Sequence, residues 1–231
     1  MEEVFFNGAV GRLEGRFHRA EAARAPLVMV LHPNPTQGGS MNNSVTYAMF
    51  KAFVDLGFSV LRFNFRGVGY SQGKVDGTGV GELADAIAAL EWLQSQDTEA
   101  TQCWIVGYSF GAWIAAQVLM RRPEVKGFVF VTPPTSMYNF DFLSPCPASG
   151  LIIQGGRDEI VDENSVAMLA EQLATNHFVD VRYRSLARAD HLYTKDRKAL
   201  YDTLVQVVPT IQLRPNKDVR KSVTVVSNDD Y

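Results

Sequence analysis

Residues 103–119 read CWIVGYSFGAWIAAQVL and contain a G-x-S-x-G segment between an apolar run and a helical pattern. The residues before Gly107 have the pattern of a buried strand, and those after Gly111 have the spacing of a helix packed on it. A serine at the apex of such a sharp strand-to-helix turn needs very small neighbours two residues away, and glycine meets that need on both sides. The segment therefore predicts a strained turn with Ser109 at its apex. Without its flanks, it would also fit a loop with two convenient glycines.

A serine hydroxyl is a weak nucleophile at neutral pH, so a reactive Ser109 requires a histidine base and usually a carboxylate that orients it. The chain has four histidines. His18 and His177 fall in or beside edge-strand patterns, where a solvated side chain is expected. His191 follows a strand pattern and a short loop, which fits the chain order serine, acid, histidine found with this turn. We predict that His191 is the base.

The acid should follow the preceding strand, which is predicted at 151–154. Asp158 lies closest to the end of that strand and is the predicted acid, with Glu159 as the weaker alternative. Asp162 is placed better as the N-cap of the next helix. Asp190 is adjacent to the base in sequence, and adjacent side chains rarely point at each other, so we expect it in the loop or facing solvent.

An early apolar run that begins at Leu27 ends in a proline-containing loop. Acyl transfer places negative charge on a carbonyl oxygen. One backbone N–H just after the nucleophile and one from this loop stabilise that charge. We assign them to Phe110 and Asn34, because the prolines on either side of Asn34 have no N–H. His32 is expected to order the loop by hydrogen bonding rather than to act as a base.

Five segments carry a resemblance to a known family: HPNP at 32–35, GGSMNN at 38–43, RFNFRGVG at 62–69, SQG at 71–73 and GYSFG at 107–111. Together, over about residues 3 to 208, the chain resembles the small bacterial hydrolases of the α/β-hydrolase superfamily, related in style to dienelactone hydrolases. The resemblance implies a Ser-Asp-His triad on a doubly wound sheet, which falls here on Ser109, Asp158 and His191. Dienelactone hydrolases use a cysteine nucleophile where this chain has serine, so the resemblance implies a mechanism rather than that substrate.

Strand patterns alternate with helical patterns along most of the chain. The strands are predicted near 3–8, 11–18, 27–32, 58–64, 103–107, 127–131, 151–154 and 178–184, with helices between most of them, including 43–56 and 81–95. This alternation predicts an α/β fold with a doubly wound, mainly parallel sheet and helices on both faces. We place one hydrolase domain at 1–209. Residues 210–231 are predicted to be a flexible tail, or to pair with a sheet edge through the valine-rich part at 223–226.

Two loops bear on the size and chemistry of the site. The glycine-rich residues 66–73 lack a phosphate-binding pattern, so Arg66 is expected to be a structural anchor.

Residues 132–150 are too few and too rich in proline for a large lid domain, which predicts an open cleft that prefers short acyl chains. The candidates for contacting substrate are Tyr108, Met137, Tyr138 and Phe140; the apolar side chains of the 132–150 segment could instead simply cover the sheet edge.

Composition limits the class of protein. The chain has 231 residues, 46% of them hydrophobic, which suffices for one sizeable core, and its net charge of −3 provides no field for nucleic acid or an anionic membrane. No long apolar stretch follows the acidic start, so we expect neither a signal peptide nor a membrane span, and a cytoplasmic protein. Two cysteines, Cys103 and Cys146, do not make a disulfide framework.

The residues together predict a serine hydrolase that cleaves a carboxylic ester, thioester or small amide through an acyl-enzyme. No metal or organic cofactor is implied. The expected partner is a small-molecule acyl substrate, and a homodimer is left open. The alternative is a binding module of the same fold that has lost turnover.

Overall fold

The computed structural model describes residues 1–75 and 77–213. The strands are β1 (Glu2–Asn7), β2 (Arg12–His18), β3 (Leu27–Leu31), β4 (Ser59–Phe63), β5 (Cys103–Tyr108), β6 (Val125–Val131), β7 (Ser149–Gly155) and β8 (Val181–Leu186). The helices are α1 (Ser44–Asp55), α2 (Val80–Gln96), α3 (Phe110–Arg121), α4 (Glu163–Ala174) and α5 (Arg197–Val207). The edge pairing predicted for residues 223–226 lies outside the described residues.

All eight strands form one sheet in the order β1-β2-β4-β3-β5-β6-β7-β8. Strands β3 to β8 run parallel to one another, whereas β2 pairs antiparallel both with β4 and with the edge strand β1. The predicted doubly wound, mainly parallel sheet is confirmed. Because parallel strands end at the same edge of a sheet, the loops after β3, β5, β7 and β8 meet there.

Helices cover both faces of the sheet. One core layer joins the sheet to α2, α3 and α4, and the other joins it to α1 and α5. Successive side chains of a strand point to opposite faces of the sheet, so alternate residues of one strand pack into the two layers. In β5, Ile105 belongs to the first layer, and Trp104 and Val106 belong to the second.

The packed face of α2 contains polar as well as apolar side chains. Leu90 is buried, whereas Leu83 and Ile87 are only partly covered. Asp85 is fully buried instead, because it accepts hydrogen bonds from Arg66 at Nε (2.9 Å), Nη2 (2.7 Å) and the backbone N–H (2.9 Å). This bidentate pair anchors the glycine-rich loop to α2, the structural role expected of Arg66.

Strand β8 begins three residues later than predicted. Asn176 makes a turn in which its side chain accepts the N–H of Phe178 and its carbonyl accepts the N–H of Val179. Phe178 is consequently 79% exposed, and pairing with β7 starts only at Val181, opposite Gly150.

The connection between β6 and β7 contains one short 3-10 turn, Asp141–Leu143, and no lid domain. The prediction that this segment carries no large lid domain is confirmed. None of the described helices is long and apolar enough to cross a membrane.

Candidate active site

Ser109 lies at the apex of the turn between β5 and α3, with φ 53° and ψ −122°. A positive φ is costly for a non-glycine residue, so the surrounding packing must hold it. A Cβ at Gly107 would lie 2.2 Å from the carbonyl oxygen of Gly111, and a Cβ at Gly111 would lie 2.6 Å from the carbonyl oxygens of Leu31 and His32. Glycine is required at both positions because backbone meets backbone there.

Asp158 and His191 are joined by a hydrogen bond of 2.9 Å between Oδ2 and Nδ1. Oδ1 of Asp158 accepts the backbone N–H groups of Ile160 (2.8 Å) and Val161 (2.9 Å), and its side chain is fully buried. Burial works to raise the pKa of Asp158, but the hydrogen bonds from His191, Val161 and Ile160 outweigh it and lower the pKa below its usual value. The carboxylate is thus an ionised acceptor that orients the imidazole.

Two tyrosines hold the loop that carries His191. The hydroxyl of Tyr108 donates to the carbonyl oxygen of His191 at 2.7 Å. The hydroxyl of Tyr193 lies 3.0 Å from Oγ1 of Thr132, and both of these residues are fully buried with positive φ (50° and 49°). Strained residues persist where the surroundings over-determine them, so these contacts fix the imidazole relative to the ends of β5 and β6.

The loops after β7 and β8 are also bonded to each other through their backbones. The N–H of Arg157 donates to the carbonyl oxygen of Ala189 at 3.0 Å, and the N–H of Gly156 donates to that of Leu186 at 2.9 Å. The residue beside Asp158 is therefore tied to the loop of His191. The other carboxylates nearby have separate tasks: Asp162 caps α4 by accepting the N–H of Ser165, Asp190 accepts the N–H of Thr194, and Glu159 is exposed.

Both residues predicted to supply the oxyanion donors line the same cleft as Ser109. Phe110 is the first residue of α3, whose N-terminal N–H groups have no partner within the helix and carry the positive end of its dipole. Asn34 follows β3, and its side chain accepts the N–H (2.9 Å) and Oγ1 (2.8 Å) of Thr36. Its carbonyl accepts N–H groups from Gln37 and Gly39. The loop therefore has a fixed shape beside Ser109.

His32 orders this loop through hydrogen bonds at both of its ring nitrogens. Its Nδ1 donates to the carbonyl oxygen of Pro33 at 2.7 Å, and its Nε2 accepts the N–H of Phe65 at 3.1 Å. Burial lowers the pKa of His32 to about 4, partly opposed by the bond to Pro33. The ring is neutral at pH 7, and both nitrogens are engaged.

One cleft of about 210 Å³ is lined by Ser109, His191, Asn34 and Phe110. Three of the four substrate candidates, Tyr108, Met137 and Tyr138, line it as well. Tyr108 is almost completely buried, with its hydroxyl engaged by His191. Phe140 is buried in the core and lines a neighbouring groove rather than this cleft. Among the described residues, no group of three His, Cys, Asp or Glu side chains is placed to hold a metal ion.

A buried network that our sequence reasoning missed supports the edge of the site. Oε2 of Glu14 accepts Nδ2 of Asn64 and the N–H of Tyr70, both at 2.8 Å. Oγ of Ser71 donates to the carbonyl oxygen of Asn64 at 2.6 Å, and Oδ1 of Asn64 accepts the N–H of Met41 at 2.8 Å. The network joins the segments 38–43, 62–69 and 71–73, and a polar Asn64 directly after a buried strand was its only local signal.

Comparison with known proteins gives the same fold and chemistry class. The family model of the X-Pro dipeptidyl-peptidases (S15 family) matches residues 19–144, which include Asn34 and Ser109 but not Asp158 or His191. An uncharacterised protein of Rickettsia prowazekii is 46% identical over 215 residues, which cover 90% of each chain.

Two solved structures extend the comparison. An α/β hydrolase of unknown function from Agrobacterium tumefaciens has a TM-score of 0.86 and 45% identity, covering 90% of this chain and 95% of that one. An α/β serine hydrolase without a lid from Xanthomonas campestris has a TM-score of 0.80 and 31% identity, covering 93% of this chain and 96% of that one. The likeness to both spans nearly the whole of the described chain.

Proposed function

Because the chain belongs to the α/β serine hydrolases, within the family that the S15 peptidase model describes, we propose that it cleaves a carboxylic ester, thioester or small amide through an acyl-enzyme. The observation that carries this proposal is the 2.9 Å bond from the buried side chain of Asp158 to His191, which lines the same cleft as the strained Ser109. A module that only binds a ligand has no need of a matched acid and base beside a nucleophile.

In acylation, Oγ of Ser109 attacks the substrate carbonyl carbon while Nε2 of His191 takes the hydroxyl proton. Asp158 holds Nδ1–H and so fixes the tautomer in which Nε2 is free to accept that proton. The oxyanion of the tetrahedral intermediate is stabilised by the backbone N–H groups of Phe110 and Asn34.

Collapse of the intermediate breaks the bond to the leaving group, which takes the proton from Nε2 of His191. In deacylation, His191 removes a proton from water, and the hydroxide formed in the same step attacks the acyl carbon. A second tetrahedral intermediate then releases the acid and returns the proton to Oγ of Ser109. The chain's own side chains and one water supply every proton in this cycle.

The proposal is tested by hydrolysis of p-nitrophenyl acetate. We expect turnover by the wild-type protein and a fall in kcat of about 10⁴-fold in Ser109→Ala. Ser95→Ala, an exposed serine on α2, is the matched control and should keep wild-type activity. Absence of turnover across p-nitrophenyl esters, thioesters and anilides in a folded wild-type protein would support the binding module instead.

A further inference from the structure

A larger hollow opens beside the catalytic cleft, between residues 135–141 and α4. This α4 groove has a volume of about 780 Å³. Met137 and Tyr138 line both the groove and the cleft that contains Ser109. A molecule bound at the nucleophile can therefore extend over these two side chains into the groove.

The wall between the two hollows is rigid. The ring of Tyr138 stacks on that of Trp113 at 4.2 Å and lies edge-on to Phe110 at 5.8 Å. Oγ1 of Thr135 and Oγ of Ser165 are hydrogen bonded at 2.6 Å, which ties the segment to α4. These contacts fix the wall between the groove and the cleft against α3 and α4, and sites for small molecules are usually preformed in this way.

The groove has an apolar floor and two methionines at its mouth, and polar side chains such as Thr135, Asn139 and Gln172 complete its lining. Phe140 and Leu169 are buried in the core beneath it. Met137 and Met168 stand at its mouth and are 55% and 69% exposed. Methionine adapts its shape to apolar ligands, so two exposed methionines at the mouth of one groove suit an apolar chain.

The charge around the groove selects against anions. No Lys or Arg is among the described residues that line the groove or the cleft. The charged side chains of the groove are Asp141 and Glu171, both exposed. A phosphate or carboxylate bound here would be repelled by these two carboxylates, with no Lys or Arg to neutralise it. An uncharged chain is not repelled.

Sheet order decides which part of the substrate reaches the groove. β3, with the oxyanion loop, lies on one side of β5, and β6, β7 and β8 lie on the other. α4 follows β7 and the loop of Asp158, so the groove lies on the side of the acid and base. A leaving group must lie near the imidazole that protonates it, while the carbonyl oxygen points toward Asn34 and Phe110.

We propose that the α4 groove is the binding site for the leaving-group arm of the substrate. The arm is a long, uncharged alkyl or aryl chain, and the 210 Å³ cleft holds a short acyl group. This inference rests on the proposed function and names its substrate class as esters of short acids with long apolar alcohols.

The test is the rate of acetate release from ethyl, butyl, hexyl and octyl acetate, since every substrate gives the same acyl-enzyme. We expect kcat/KM to rise by at least tenfold from ethyl to octyl, because each fully buried methylene contributes up to about fourfold. Met168→Glu should lower kcat/KM for octyl acetate by about tenfold and leave ethyl acetate within twofold. Met120→Glu, a 39% exposed methionine on α3, is the matched control and should change neither.

The assignment of the groove would be overturned if kcat/KM did not change from ethyl to octyl acetate. It would also be overturned if kcat/KM rose along this series in Met168→Glu as it does in the wild type. A rise along p-nitrophenyl esters from acetate to decanoate with no rise along the alcohols would show that the groove holds the acyl chain, and would equally overturn it. Either result with turnover that Ser109→Ala abolishes leaves the proposed function intact. Absence of acetate release from every ester would instead count against the proposed function.

Discussion

Tyr108, the residue directly before the nucleophile, donates a 2.7 Å hydrogen bond to the main-chain carbonyl of His191, which lies 83 positions along the chain. The tyrosine is 1% exposed and its ring lies 5.7 Å from the imidazole. The end of β5 is thereby bonded directly to the loop that presents the proposed base.

Removing this contact should weaken catalysis more than binding. Tyr108→Phe keeps the ring and loses the hydrogen bond, which is worth about 1 kcal/mol, so kcat should fall about fivefold while KM stays within twofold. Steady-state kinetics with p-nitrophenyl acetate checks this. Tyr201→Phe is the control, because its hydroxyl bonds to Asp55 far from the cleft. Equal kcat values in the two variants would show that Tyr108 does not position His191.

The two aspartates after β7 should respond differently to the same substitution. Asp158→Asn should lower kcat by about 10³-fold or more while the protein stays folded, because the imidazole loses the anion that fixes its tautomer. Asp162→Asn should keep most activity, since asparagine caps a helix about as well as aspartate. The comparison uses kcat for an activated ester together with circular dichroism. A reversed pattern would move the acid to Asp162.

The buried ion pair between Arg66 and Asp85 should matter for stability. Asp85→Ala leaves the guanidinium buried without its bidentate partner and should lower the free energy of unfolding by about 3–5 kcal/mol. Asp202→Ala removes an exposed ion pair with Lys198, and such pairs contribute about 0–1 kcal/mol. Urea unfolding of both variants measures the difference, and similar midpoints would show that Asp85 anchors nothing.

Stability should depend on pH through His32. Its pKa is lowered from 6.5 to about 4 in the folded state, so the unfolded chain binds an extra proton in that window. Stability is therefore full at higher pH and is lost as pH falls from 6.5 toward 4. Between pH 8 and pH 5, this group should remove about 2 kcal/mol of unfolding free energy. His32→Gln should lack that part of the loss in urea titrations; an identical pH dependence in both proteins would contradict the buried neutral histidine.

The placement of Ser109, Asp158 and His191 at one edge of the sheet could be predicted because its signals are local in sequence. Gly107 and Gly111 encode the turn around Ser109, and Asp158 and His191 follow successive strands at short distances along the chain. Parallel strands bring such loops together whatever lies between them. The same reasoning placed Asp162 at the start of α4, where it caps the helix.

The supporting contacts could not be predicted, because they join residues that are distant in sequence and carry no pattern. Tyr108 was predicted as a candidate for contacting substrate, and no neighbouring residue in the sequence indicates its hydrogen bond to His191. Asp85 on α2 is buried because Arg66, 19 positions earlier in the chain, neutralises it. The late start of β8 depended on a turn made by the side chain of Asn176, which competes with the strand propensity of Phe178.

Covalent labelling measures most directly whether Ser109 is the reactive nucleophile. A fluorophosphonate probe followed by peptide mass spectrometry should find modification at Ser109 alone, because it combines exposure on a strained turn with a base in the same cleft. Ser109→Ala should abolish labelling, and Asp158→Asn should slow it about as much as it slows ester hydrolysis. Stoichiometric modification of another serine, or undiminished labelling of Ser109→Ala, would contradict the account.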